Sequence, residues 1–86
     1  MYALMWLDEV LNDLAAIYVA ATAEERQRMA GAVAGLNARL RSDPQDVGES
    51  RDGDTRVAVV ALLVVTFVVD VGPRTVRVAN VRRYGR

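Results

Sequence analysis

Val57-Ala-Val-Val-Ala-Leu-Leu-Val-Val-Thr-Phe-Val-Val69 is the stretch on which the fold turns. Twelve of its thirteen residues are apolar, Thr66 alone interrupts it, and Arg56 and Asp70 bound it. Such a run reads as a membrane span, a buried helix or a pair of strands. A spanning helix needs about 20 apolar residues, so the run is too short. Seven of the thirteen residues are valine. β-Branched side chains lose rotamer freedom in a helix and pack well on a pleated sheet. A single strand is disfavoured as well, since strands usually run to about 5–6 residues. The run therefore predicts two strands, Thr55–Val60 and Leu63–Asp70, meeting at a tight turn at Ala61–Leu62.

Toward the C-terminus, Val71-Gly72-Pro73-Arg74 reads as a second turn and Thr75–Val81 as a last strand, followed by Arg82-Arg83-Tyr84-Gly85-Arg86. Upstream, residues 45–54 are polar, and Asp52-Gly53 favours a type I′ hairpin turn. That turn predicts a stub of strand at Glu49–Arg51. Before it come two helices. Val10, Leu11, Leu14, Ile17, Tyr18 and Ala21 recur at helical spacing, with Asp8 placed as N-cap. Thr22-Ala-Glu-Glu25 has the form of a capping box, which ends the first helix and starts the second. Met29, Val33, Leu36 and Leu40 then form a core stripe, and Ser42-Asp43-Pro44 closes the helix. Gly31 and Gly35 each cost about 1 kcal/mol relative to alanine in a helix. That cost predicts a close approach to the alanine-rich first helix (Ala15, Ala16, Ala20). Tyr2–Leu7 is a short apolar strand.

The order β-α-α-β-β-β predicts an α+β domain spanning residues 1–86, a helical hairpin on one face of a C-terminal antiparallel meander. Alternation along the long hairpin puts Val57, Val59, Leu63, Val65, Phe67 and Val69 under the helices. Arg56, Ala58, Val60, Val64, Thr66 and Val68 then fall on the outer face. That face is more apolar than a solvated sheet face should be, so Ala58, Val60, Val64 and Val68 are expected to meet a partner chain.

Composition narrows the chemistry. The chain has no cysteine and no histidine, which excludes disulfides, thiolate metal sites and histidine acid–base catalysis. No metal and no cofactor is expected. No signal peptide is visible, since Met1–Leu7 lacks a positive region, and a cytoplasmic protein is expected. The net charge is zero, but residues 1–25 carry five acids and no arginine, whereas residues 55–86 carry six arginines against Asp70. Every basic side chain is arginine, so the C-terminal third attracts anions.

The element order and several local sequences resemble the RelE/ParE superfamily, the small toxins of bacterial type II toxin–antitoxin, or plasmid-stabilisation, pairs. The resemblance runs through YALMWL, LNARLRSDP, DVGES–RDG and TFVVDVGPRTVRVANVRRYGR. It implies a cognate antitoxin partner and one of two activities. RelE-like members cleave mRNA at the ribosome, and ParE-like members poison DNA gyrase. RNA cleavage requires a deprotonated 2′-hydroxyl and a neutralised phosphate. The resemblance places the family's catalytic arginine at Val64, where this chain has none, and Arg56 is expected to stand in for it. Arg82, Arg83 and Tyr84 match the basic–aromatic ending, the arginines for phosphate charge and Tyr84 as general base. Read without the resemblance, Arg82, Arg83 and Arg86 are solvated tail residues, Tyr84 packs on the sheet edge, and Arg56 is a strand-flanking charge. Two alternatives stay open: a non-enzymatic gyrase inhibitor, or an inactive toxin fold that self-associates as a homodimer.

Overall fold

A computed structural model describes residues 1–85; Arg86 lies outside them. Strand β1 (Ala3–Trp6) leads into helices α1 (Asp8–Ala20) and α2 (Ala23–Ser42). A 3-10 turn at Pro44–Asp46 follows, then β2 (Glu49–Asp52), β3 (Thr55–Val60), β4 (Leu63–Asp70) and β5 (Thr75–Arg83). The five strands form one sheet in the order β1-β5-β4-β3-β2. The valine-rich run is β3 and β4, paired antiparallel and closing on Val60 opposite Leu63. Ala61, in the two-residue turn, has a φ of 48°, the left-handed backbone that the primed hairpin turns demand. All pairings are antiparallel except one: β1 lies parallel to β5, with Ala3 opposite Thr75. No helix among the described residues is long and apolar enough to cross a membrane.

Helix α1 packs on β5, while α2 packs on β1 and β3. Val10 and Leu14 from α1 meet Met29, Leu36 and Leu40 from α2 over Leu63, Val65, Phe67, Val69, Val76, Val78 and Val81. The Thr22–Glu25 capping box forms as expected: Glu25 N–H donates to Thr22 Oγ1 at 3.1 Å, and Thr22 N–H donates to Glu25 Oε1 at 3.0 Å. At the start of α1 the cap is Leu7, which makes no side-chain hydrogen bond, and Asp8 is the first helical residue. From there Asp8 and Glu9 still complement the partial positive charge of the helix N-terminus.

Two expectations need correction. First, Val57 and Val59 do not face the helices. A two-residue turn pairs even-numbered residues of β3 with odd-numbered residues of β4, so Ala58 lies opposite Val65 and Val59 opposite Val64. Cross-strand partners share a face. Ala58 is therefore buried in the core, Val60 packs against that core, and Val59 is 57% exposed. Of the proposed partner-facing set, Val64 and Val68 keep the outer face, and Ala58 and Val60 do not.

Second, the glycines of α2 make no close approach. A Cβ added at Gly31 or Gly35 would meet nothing within 4 Å, and both positions are exposed. Gly31→Ala and Gly35→Ala are therefore expected to stabilise the isolated chain, each by about 1 kcal/mol. A pair of thermal melts, with the double variant additive, checks this.

Candidate functional site

Arg82 and Arg83 belong to the sheet, not to a tail. Strand β5 runs two residues further than the hydrophobic pattern suggests, because Arg82 pairs with Val64 and Arg83 with Leu63. Between them and the earlier part of β5 lies a bulge: Thr66 pairs with Asn80 and Phe67 with Val78, so Ala79 is the extra residue. A bulge resets the alternation of the strand that carries it. Val76 and Val78 point to the helices before it, Val81 and Arg83 after it. The two neighbouring arginines are thereby sent to opposite faces.

Arg83 goes inward and is neutralised. Its Nη2 donates to Glu25 Oε2 at 2.8 Å, with side chains only 16% and 24% exposed. This is the one ion pair among the described residues. Glu25 also accepts the N–H of Thr22, and that backbone bond, followed by the Arg83 contact, holds its carboxyl at about 2. A carboxyl held below its unfolded value stabilises the fold above that value and loses the effect as the pH falls. The loss here is expected between the ordinary 4.5 and about 2. Melting midpoints of the native chain and Glu25→Gln should therefore differ at neutral pH and converge as pH 2 is approached.

Arg56 is also committed elsewhere. Its Nε donates to the carbonyl of Val47 at 2.8 Å and its Nη2 to that of Gly48 at 3.1 Å. It clamps the segment leading into β2. In register it lies opposite Phe67, on the helix side of the sheet, whereas Val64 lies on the other. Arg56 therefore does not stand in for an arginine at Val64. Along the strands it is four residues from the Arg83 level, about 13 Å, and two strands across, about 10 Å. Tyr84 is 56% exposed, and its N–H donates to the Leu62 carbonyl at 2.7 Å. The structure thus brings Arg82, Arg83 and Tyr84 to one end of the sheet, divides the two arginines between its faces, and leaves Arg56 apart.

What the outer face does present is a row on β5. Arg77, Asn80 and Arg82 lie opposite Val68, Thr66 and Val64, with exposed Met5 and Val59 to either side. Neither Arg77 nor Arg82 forms an ion pair with a described residue. Sequence reasoning passed over Arg77 and Asn80. Alternation about Val76 and Val78 marks Arg77 as outward, but Asn80 and Arg82 follow only from the bulge.

No protein-family model and no curated protein matches the chain. Two solved structures do. A chain of the chromosomal ParDE toxin–antitoxin system from P. aeruginosa is similar at a TM-score of 0.73 and 20% identity, over 98% of this chain and 97% of that one. At that identity the likeness is one of fold. A chain of the archaeal RelE–RelB complex from Pyrococcus horikoshii OT3 is similar in fold as well, at a TM-score of 0.62 and 12% identity, over 99% and 97% of the two chains. Within this shared fold, the arginine row on β5 lies on the helix-free face of the sheet.

Proposed function

We propose that residues 1–86 form one toxin domain of a type II toxin–antitoxin pair. It is a cytoplasmic protein held by a cognate antitoxin, and it acts by binding a macromolecular target such as DNA gyrase rather than by cutting RNA. The fold and both similar assemblies support the toxin–antitoxin part. The observation that carries the non-enzymatic part is the disposition of the arginines. Arg56 holds backbone carbonyls, Arg83 holds Glu25, and Val64 lies where the ribonuclease resemblance asks for charge. Cleavage needs donors and a base converged within hydrogen-bond reach of one phosphate. Arg77 and Arg82 are five positions apart on β5, about 15 Å.

Inducible expression with and without the product of the adjoining reading frame tests the proposal. Growth arrest relieved by that product, with DNA breaks and intact mRNA, is the expected result. Growth arrest with mRNA cut at ribosomes restores the endoribonuclease reading. No effect on growth sinks the toxin reading and leaves the inactive, self-associating alternative.

A further inference from the structure

From β5 to β2, the helix-free face of the sheet carries opposite charges on its two sides. Cross-strand partners share a face, so the register lines these residues up in rows. One row runs Arg77, Val68, Thr55, Asp52 from β5 to β2. The next runs Asn80, Thr66, Val57, Glu49. In a third, Arg82 and Val64 lead to Val59. The irregularity in β2 leaves Arg51 as its extra residue and puts Asp52 opposite Thr55. Strand β5 thus brings two outward arginines and no acid, whereas residues 49–54 bring three acids against Arg51. All of β2 is exposed, and none of Arg77, Arg82, Glu49 and Asp52 forms an ion pair with a described residue. The two sides are three strand spacings apart, about 14 Å, too far for these groups to satisfy one another. Between them lie valines and threonines, with Val59 57% exposed.

We propose that a second copy of this chain occupies the helix-free face, packed on it about a two-fold axis that runs along the strands between β3 and β4. A polyanion drawn to β5 would be repelled from β2, and an acidic segment would leave the carboxylates of β2 unanswered. A second copy answers both. The axis reverses strand order and keeps the rows, so Arg77 of each copy faces Asp52 of the other, Asn80 faces Glu49, and Val59 faces Val64. Arg82 is one row from Asn80, about 7 Å, and an arginine side chain reaches Glu49 of the second copy from there. The same patch serves both copies, as a closed two-fold dimer requires. The chain has no net charge, so two copies meet without overall repulsion. Four strands about 4.8 Å apart and three rows about 7 Å apart outline a patch near 400 Å² on each copy, which suits a reversible dimer rather than an obligate one. The dimer covers the arginine row, so that row is open to any other protein only in the monomer.

Sedimentation equilibrium of the isolated full chain, from about 10 µM to about 500 µM, is expected to pass from monomer to dimer, the range for a patch of this size. Arg77→Asp and Asp52→Arg, both at exposed positions, each set like charges against each other twice in the dimer. Each should weaken association by about tenfold or more, with the fold intact by circular dichroism. An equimolar mixture of the two single variants pairs opposite charges at both contacts and should dimerise as the native chain does. The double reversal in one chain should also dimerise on its own. Val59→Asp, near the axis, should weaken the dimer as the single reversals do, and Ala30→Asp, on the exposed side of α2, should leave it unchanged. A monomer at every concentration overturns the proposal. So does a dimer that survives both single reversals, or a mixture of them that stays monomeric. These readouts use neither a partner protein nor cell growth, so their failure leaves the toxin reading standing, and failure of the growth test leaves the dimer standing.

Discussion

Replacing Ala58 by aspartate is expected to leave little folded protein, while the same replacement at Val59, one residue on, costs about 1 kcal/mol, the span of strand propensity. Ala58 is 4% exposed and lies opposite fully buried Val65, in the layer beneath α2. A carboxylate there has no cation facing it, because Arg56 is already spent on the carbonyls of Val47 and Gly48. Burying an unpaired charge costs at least about 3 kcal/mol. A chain of this size has a total stability of roughly 4–13 kcal/mol, from about 0.05–0.15 per residue. Val59, by contrast, is 57% exposed on the outer face. Urea titration followed by circular dichroism reads both. Equal effects at the two positions would show that the face assignment of β3 is wrong.

Gly48→Ala should be the most damaging single methyl that can be added to this chain, at no less than about 3 kcal/mol. Two costs coincide at this position. Gly48 has a φ of 64°, and left-handed backbone costs an L-residue about 1–2 kcal/mol. The new Cβ would also collide with the carbonyl oxygen of Val57 and lie 2.7 Å from its carbon and 3.0 Å from Ala58 Cα. These are backbone atoms of β3, fixed by pairing on both sides, so relief requires the sheet to move. Gly53 is the internal control. Its φ of 57° is similar, but a Cβ there meets nothing within 4 Å, so Gly53→Ala should show the conformational cost alone, about 1–2 kcal/mol. The gap between the two variants in the same denaturant series measures the steric part.

The element order could be read from residues because each signal was local. Valine density set the strand type of the long run, Thr22 and Glu25 marked a helix start that forms as expected, and Asp52-Gly53 placed the turn between β2 and β3. The faces of β3 could not be read by carrying odd numbers through Ala61–Leu62, since a two-residue turn exchanges parity. Pairing arithmetic across that turn would have found the right answer. The bulge at Ala79 is another matter. Nothing in Val-Arg-Val-Ala-Asn-Val-Arg-Arg distinguishes an extra residue from continued alternation, so the separation of Arg82 from Arg83 was hidden. The partner of Arg83 lies 58 positions away, beyond any local pattern. Arg56 illustrates the converse: its proximity to a loop was legible, but its acceptors are main-chain carbonyls, which carry no side-chain signature.

The single parallel pairing has a consequence for how the chain reaches its native state. Among the described elements β1 comes first in the chain and β5, its sheet neighbour, comes last. The first strand therefore waits unpaired while everything between is synthesised, and β5 must then engage β4 on one side and β1 on the other. Contacts so remote in sequence slow folding, because the loop must close before the pairing rewards it. The helices and the β3–β4 hairpin can form early, but the outer-face row of Arg77, Asn80 and Arg82 exists only once β5 is seated. A nascent or C-terminally clipped chain consequently has no such surface to offer.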